Sequence, residues 1–189
     1  MSTINNKSPL LTLWYKPATS MRALLDAGQG HSAALMIAAF FGAVQSIPFS
    51  LQQESSGPLF YLIGAAIGLS GLYLFGWLTR NFGRWFGAET AQLDVRIALG
   101  LSLLPWTLLF LPLPFIRGAE IDAATLKLCF AVFFIGIVYG YVIILLSLSA
   151  ALRLSALKTF LCLVVTVLVS LFPLTLLAQL LSNLFGASV

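Results

Sequence analysis

Between its charged residues the chain runs through five long stretches free of Asp, Glu, Lys and Arg, at about residues 32–51, 58–79, 97–116, 128–152 and 159–184. A hydrocarbon core about 30 Å thick takes about 20 apolar residues of helix. Each stretch is long enough to cross a bilayer, and the pattern predicts an all-α bundle of five transmembrane helices. Gln45 and Ser46 form a polar patch in the first, just ahead of Pro48. Pro58 opens the second, where proline suits the first helical turn. Pro105, Pro112 and Pro114 fall in the third and predict a kink near its middle and a frayed exit. Pro173 predicts a bend in the fifth.

Ahead of the first span, Leu10, Leu11, Leu13 and Trp14 make an apolar cluster. After Pro17, Met21, Leu24 and Leu25 recur at helical spacing, with Arg22 and Asp26 between them and Gly28 and Gly30 as a stop. This predicts an amphipathic helix in the cytoplasmic interface, its apolar face toward the membrane. The domain reading is therefore a cytoplasmic lead over residues 1–31 and a five-span domain over 32–189. The connectors leave no room for a soluble domain. The first long apolar run begins only near Ser32, behind a polar and basic lead-in, so no cleaved signal peptide is expected.

Composition agrees with this pattern. At 60% hydrophobic and 8% charged residues, the chain has too few polar groups to cover a globular surface in water. The formal charge of +4 is spread unevenly over the connectors. With the N-terminus inside, the inner segments hold Lys7, Lys16, Arg22, Arg80, Arg84, Arg96, Arg153 and Lys158, and the outer ones Arg117 and Lys127. That bias predicts a cytoplasmic N-terminus and an external C-terminus in a multi-pass protein of the cell inner membrane. It differs from the clustered cationic face that nucleic acid requires, so no nucleic-acid partner is expected.

Candidate chemistry is sparse. No ionisable Asp, Glu, Lys or Arg lies in a span, which counts against a proton- or sodium-coupled carrier. His31 stands at the entry to the first span without ligand partners, and Cys129 and Cys162 sit in apolar runs. Gly-rich phosphate loops, HExxH, paired CxxC and GxSxG elbows are missing from the sequence. Glu89 and Asp94, two carboxylates in a basic connector, need no catalytic explanation. The expectation is a protein that is not an enzyme, with no catalytic, cofactor-binding or metal residues and no cofactor. The Asn6-Lys7-Ser8 glycosylation triplet falls on the inner side and should be silent.

Small residues four apart let helices approach closely, which nominates Gly64, Gly68 and Gly71, and Gly136 and Gly140, as packing positions. Gln45, Tyr139, Tyr141 and Gln179 could line a polar cavity, with Ser46 and Asn183 nearby; bonding between helices is the plainer role. Arg80, Arg84, Trp85, Arg96, Arg153 and Lys158 gather on the inner connectors as candidate contacts for a partner or for lipid headgroups, where the plain reading is an aromatic belt with snorkelling arginines.

The lead segment KPATSMRALLD, the basic Gly-containing GWLTRNFGRWFG after the second span, the proline-broken VRIALGLSLLP and the late LRLSALKTF together resemble the Yip family (Ypt-interacting, Rab-binding membrane proteins) in its prokaryotic form. The resemblance covers most of the chain. It implies a five-span helical fold with a cytoplasmic N-terminus and, from eukaryotic relatives, a role among small GTPases and hetero-oligomers. It carries over no catalytic residues. Only about thirty residues precede the first span here, too few for the long cytoplasmic region of many eukaryotic members. The functional expectation is a membrane protein that organises or docks partners or lipids at the cytoplasmic face. Membrane lipids, other membrane proteins or a second copy are the expected partners. The rival is a small channel or transporter for a neutral, lipid-like or weakly ionic solute.

Overall fold

The computed structural model describes residues 12–50, 57–112 and 122–186, and every regular element within them is helical. The order is α1 (Pro17–Asp26), α2 (His31–Ser50), α3 (Leu59–Trp85), α4 (Gln92–Ser102), α5 (Leu104–Phe110), α6 (Ala123–Leu152) and α7 (Ala156–Gly186). The Asn6 triplet, Leu10, Leu11, Pro114 and Arg117 lie outside the described residues, as do the side chains of Pro173 and Asn183.

By length and composition, α2, α3, the α4–α5 pair and α6 can each cross a membrane, and Ala156–Phe172 of α7 adds a shorter apolar stretch. Their outer faces agree: Leu62, Leu128 and Phe134 are each 65% or more exposed. Water would penalise so much bare apolar surface. Lipid does not.

The helices outrun the apolar runs from which they were read. α3 continues through Arg80 and Arg84 to Trp85, and α4 begins at Gln92, ahead of Asp94 and Arg96. A charge ends the hydrocarbon slab, not the helix, so the basic connector between the second and third spans is mostly helix with a short turn at 86–91. That turn is a Schellman closure. Ala88 N–H donates to the Gly83 carbonyl and Gly87 N–H to that of Arg84, both at 3.0 Å, with Gly87 at φ +93°. The third span breaks where proline predicted: α4 stops at Ser102, and α5 restarts at Leu104 with Pro105 in its first turn. At the start of α6, Asp122 caps the backbone N–H groups of Ala124 and Thr125. The Thr125 hydroxyl, donating to the same carboxylate, is the main reason that its pKa lies below the usual value.

Helix pairing follows the small residues. α2 packs most extensively on α3, and α4 lies between α2–α3 on one side and α6 on the other. A Cβ on Gly42 would overlap the Gly64 carbonyl, and one on Gly68 would overlap that of Ala38, so the two backbones touch where no side chain fits. Farther along, Gly136 receives Leu109 and Gly140 receives the Trp106 indole, seating α5 on α6. Phe110 stacks on Trp106 and meets Phe41 and Phe133 edge-on, tying α2, α5 and α6 together.

The amphipathic helix forms over Pro17–Asp26, but its apolar face covers protein rather than lipid. Met21 is fully buried, Leu24 nearly so, and Leu13 just ahead of the helix is 2% exposed; all three belong to one core with Leu148 and Leu152 of α6 and Val95 and Ile97 of α4. The neighbouring helix ends offered that stripe a better partner than the membrane surface, because they present close-packed apolar side chains of their own.

Candidate functional site

Several contacts gather the charged connectors at one end of the bundle. Thr90, in the turn after α3, donates its hydroxyl to the Ala151 carbonyl at the end of α6 (2.9 Å). Gly83 of α3 abuts Leu152. The Cys162 thiol, early in α7, donates to the Thr79 carbonyl (3.4 Å). The start of α2 joins the same end, where Gly30 meets Ile97 and Gly100 meets Ala34. The ends of α3 and α6 and the starts of α2, α4 and α7 therefore share one pole, which carries Arg22, Arg80, Arg84, Arg96, Arg153 and Lys158.

The six rim residues nominated from sequence separate into two groups there. Arg80 and Arg96 are used within the protein. Arg80 Nε donates to the Thr90 carbonyl (3.1 Å), so Arg80, Thr90 and Ala151 form a relay that ties α3 to the C-terminus of α6 and satisfies a carbonyl that α6 cannot satisfy itself. Arg96 lays its stem across Gly76, where a Cβ would come within 2.8 Å of Cγ, and holds its guanidinium 4.6 Å from the Tyr73 ring centroid. That is cation–π distance, worth roughly 0.5–2 kcal/mol depending on exposure. Its Nε is buried without a hydrogen-bond partner. Arg84, Trp85, Arg153 and Lys158 face outward, with Trp85 74% exposed and Leu157 beside them 69% exposed. The outward surface is thus narrower than the sequence suggested, because two of its arginines are short-circuited by an acceptor and a ring that lie far off in sequence or on the neighbouring helix.

A second feature of this pole had no signal in the sequence. Arg22 and Asp26 of α1, Asp94 of α4 and Arg153 converge around a cleft of about 450 Å³ beside Ala150 and Ala151. Two cations and two carboxylates share its wall beside the C-terminus of α6. Arg153 caps that helix at φ +55°, a left-handed conformation that costs a residue with a Cβ about 1–2 kcal/mol. Among the described residues no group of His, Cys, Asp and Glu is arranged to hold a metal ion.

Of the four residues nominated for a polar cavity, the structure brings two together. A cavity of about 950 Å³ opens between α2–α3 and α6–α7, with Gln45 and Tyr141 in its wall. Tyr139 is not there. Two residues along a helix turn a side chain by about 200°, and Tyr139 lies on the other side of α6, where its hydroxyl donates to the Trp14 carbonyl and its ring stacks on the Trp14 indole. Gln179, exposed on α7, lies beyond the wall, which α7 supplies from Leu163 to Leu168. Of the packing glycines, Gly64, Gly68, Gly136 and Gly140 meet neighbouring helices, whereas Gly71 has nothing within 4 Å of a Cβ and lines the cavity instead. The packing partners missed from sequence, Ala38 and Gly42, are themselves small residues four apart. Their spacing was readable; their neighbours Phe40 and Phe41 masked it.

Neither among curated proteins nor among solved structures does a match to this chain emerge. A family model does match: the one described as the Yip1 domain aligns with residues 11–177, from just before α1 to well into α7. It takes in the lead helix, the glycine crossing of α2 and α3, the broken third span and the basic pole as one unit. The chain is a multi-pass membrane protein and belongs to the Yip1-domain family.

Proposed function

We propose that this protein is a non-enzymatic membrane protein that docks a partner protein or anionic lipid through its basic pole, on the cytoplasmic face of the inner membrane. The observation that carries the reading is the division of labour among the arginines. Arg80 and Arg96 are engaged within the fold, while Arg84, Trp85, Arg153 and Lys158 stand exposed, Arg153 also lining the charged cleft. Exposed aromatic and cationic side chains on a rigid helical end are the composition of a contact surface. The connector bias of the whole sequence supports a cytoplasmic position for that pole. The transporter reading draws on the cavity, yet two of the four polar residues that were to line it lie elsewhere.

The test is a triple Ala variant at Arg84, Arg153 and Lys158, with Arg80 and Arg96 left intact to preserve the fold. Crosslinking in the native membrane followed by purification should recover the wild-type chain with partners or enriched anionic lipid that the variant loses at equal abundance. An unchanged set of co-purifying molecules would overturn the proposal.

A further inference from the structure

The large cavity is a long apolar trough. From Phe60 to Thr79 its wall follows α3 over about 28 Å at 1.5 Å per residue, close to the roughly 30 Å depth of the hydrocarbon core. Its walls are joined at one end, where the Cys162 thiol donates to the Thr79 carbonyl. The few polar side chains in the wall are scattered, and two are engaged: Ser46 donates to the Ala43 carbonyl (2.7 Å) and Thr166 to that of Cys162 (2.8 Å), while Gln45, Thr79 and Tyr141 come from three different helices. The rest of the wall is apolar or glycine and offers a buried water none of the two to four polar partners it needs. A trough of about 950 Å³ is also far larger than the voids that close packing leaves.

The geometry points to a binding site for an acyl chain of a membrane glycerophospholipid, held between α2–α3 and α6–α7 on a floor that includes Gly71. A second copy fits less well. Helices associate in lipid through stripes of small residues, and of the glycines that α3 turns to the trough Gly64 and Gly68 are consumed by α2, leaving Gly71 by itself on that face. One small residue gives a helix no face to dock on. A hydrocarbon chain needs none, and it is the molecule present at that depth on every side of the protein. The basic pole takes no part, so this site stands or falls apart from the docking surface.

The test uses the full chain with photo-leucine in place of leucine, reconstituted in vesicles of phosphatidylethanolamine and phosphatidylglycerol and mapped by mass spectrometry after irradiation. Leu62 and Leu128 face outward and report bulk lipid. Leu72 and Leu163 line the trough at 4% and 9% exposure, so only an occupant of the trough reaches them. Lipid adducts are expected at all four in the wild type. Gly71→Phe fills the trough without meeting protein at its Cβ; it should abolish the adducts at Leu72 and Leu163 and leave those at Leu62 and Leu128. Gly71→Val provides a milder filling if the Phe variant does not assemble. Adducts at Leu72 and Leu163 that are absent in the wild type, that join a second copy, or that persist undiminished when the trough is filled in a folded variant would each overturn the assignment.

Discussion

Arg153 shows how one residue can carry two separable costs. Its guanidinium belongs to the charged cleft, while its backbone occupies a left-handed conformation that glycine adopts freely. Arg153→Gly should therefore hold or raise the thermal midpoint, by relief of about 1 kcal/mol, whereas Arg153→Ala keeps the strain and gains nothing. Both lose the charge. A thermal-shift series in detergent separates the two, and a lower midpoint for Gly than for Ala would show that the left-handed backbone at this position carries no strain to relieve. The glycine crossing makes the opposite case. Gly68→Leu drives side-chain atoms into the Ala38 carbonyl, and overpacking of this kind costs typically 1–3 kcal/mol and more where backbone must move. A marked fall in midpoint is expected at Gly68 and little change for Gly71→Val, three residues on.

At the level of elements, the legible parts of the chain were those that depend on one helix at a time. Long apolar runs gave the spans, Pro105 gave the break between α4 and α5, and Gly28 closed α1. What escaped was pairing. Nothing in the spacing of Arg80 says that its acceptor is Thr90, ten residues on, or that Thr90 in turn serves Ala151, 61 residues farther. Nor does a Tyr-x-Tyr pair reveal which ring will find Trp14. Periodicity describes a helix relative to its own axis, and the site depends on where other axes lie. The Tyr139–Trp14 contact joins the lead segment to the middle of α6. Tyr139→Phe removes its hydrogen bond, a loss of about 0.5–1.5 kcal/mol, and amide exchange over residues 12–26 should quicken while exchange in α2 stays unchanged. Equal exchange in both proteins would mean that apolar burial alone holds the lead.

For the whole molecule, the alternation of helix ends between two poles has a countable consequence. Five crossings put the termini on opposite sides of the membrane; four leave them on the same side. Reporter domains fused to each end, assayed for the side on which they are active, should report an inside N-terminus and an outside C-terminus. Reporters active on one side would remove α7 from the set of crossings and, with it, one wall of the trough from the bilayer.

The contact between Trp14 and Tyr139 spans 125 residues of sequence, and that separation sets an order of events during synthesis. The lead leaves the ribosome before the rest of this core, yet the surface that buries Leu13, Met21 and Leu24 does not exist until α4 and α6 have both been made. Until α6 emerges the lead has nowhere to sit. Its apolar stripe is open to chaperones or to the membrane surface throughout that interval, and a nascent chain halted before α6 should expose a segment that the finished protein conceals.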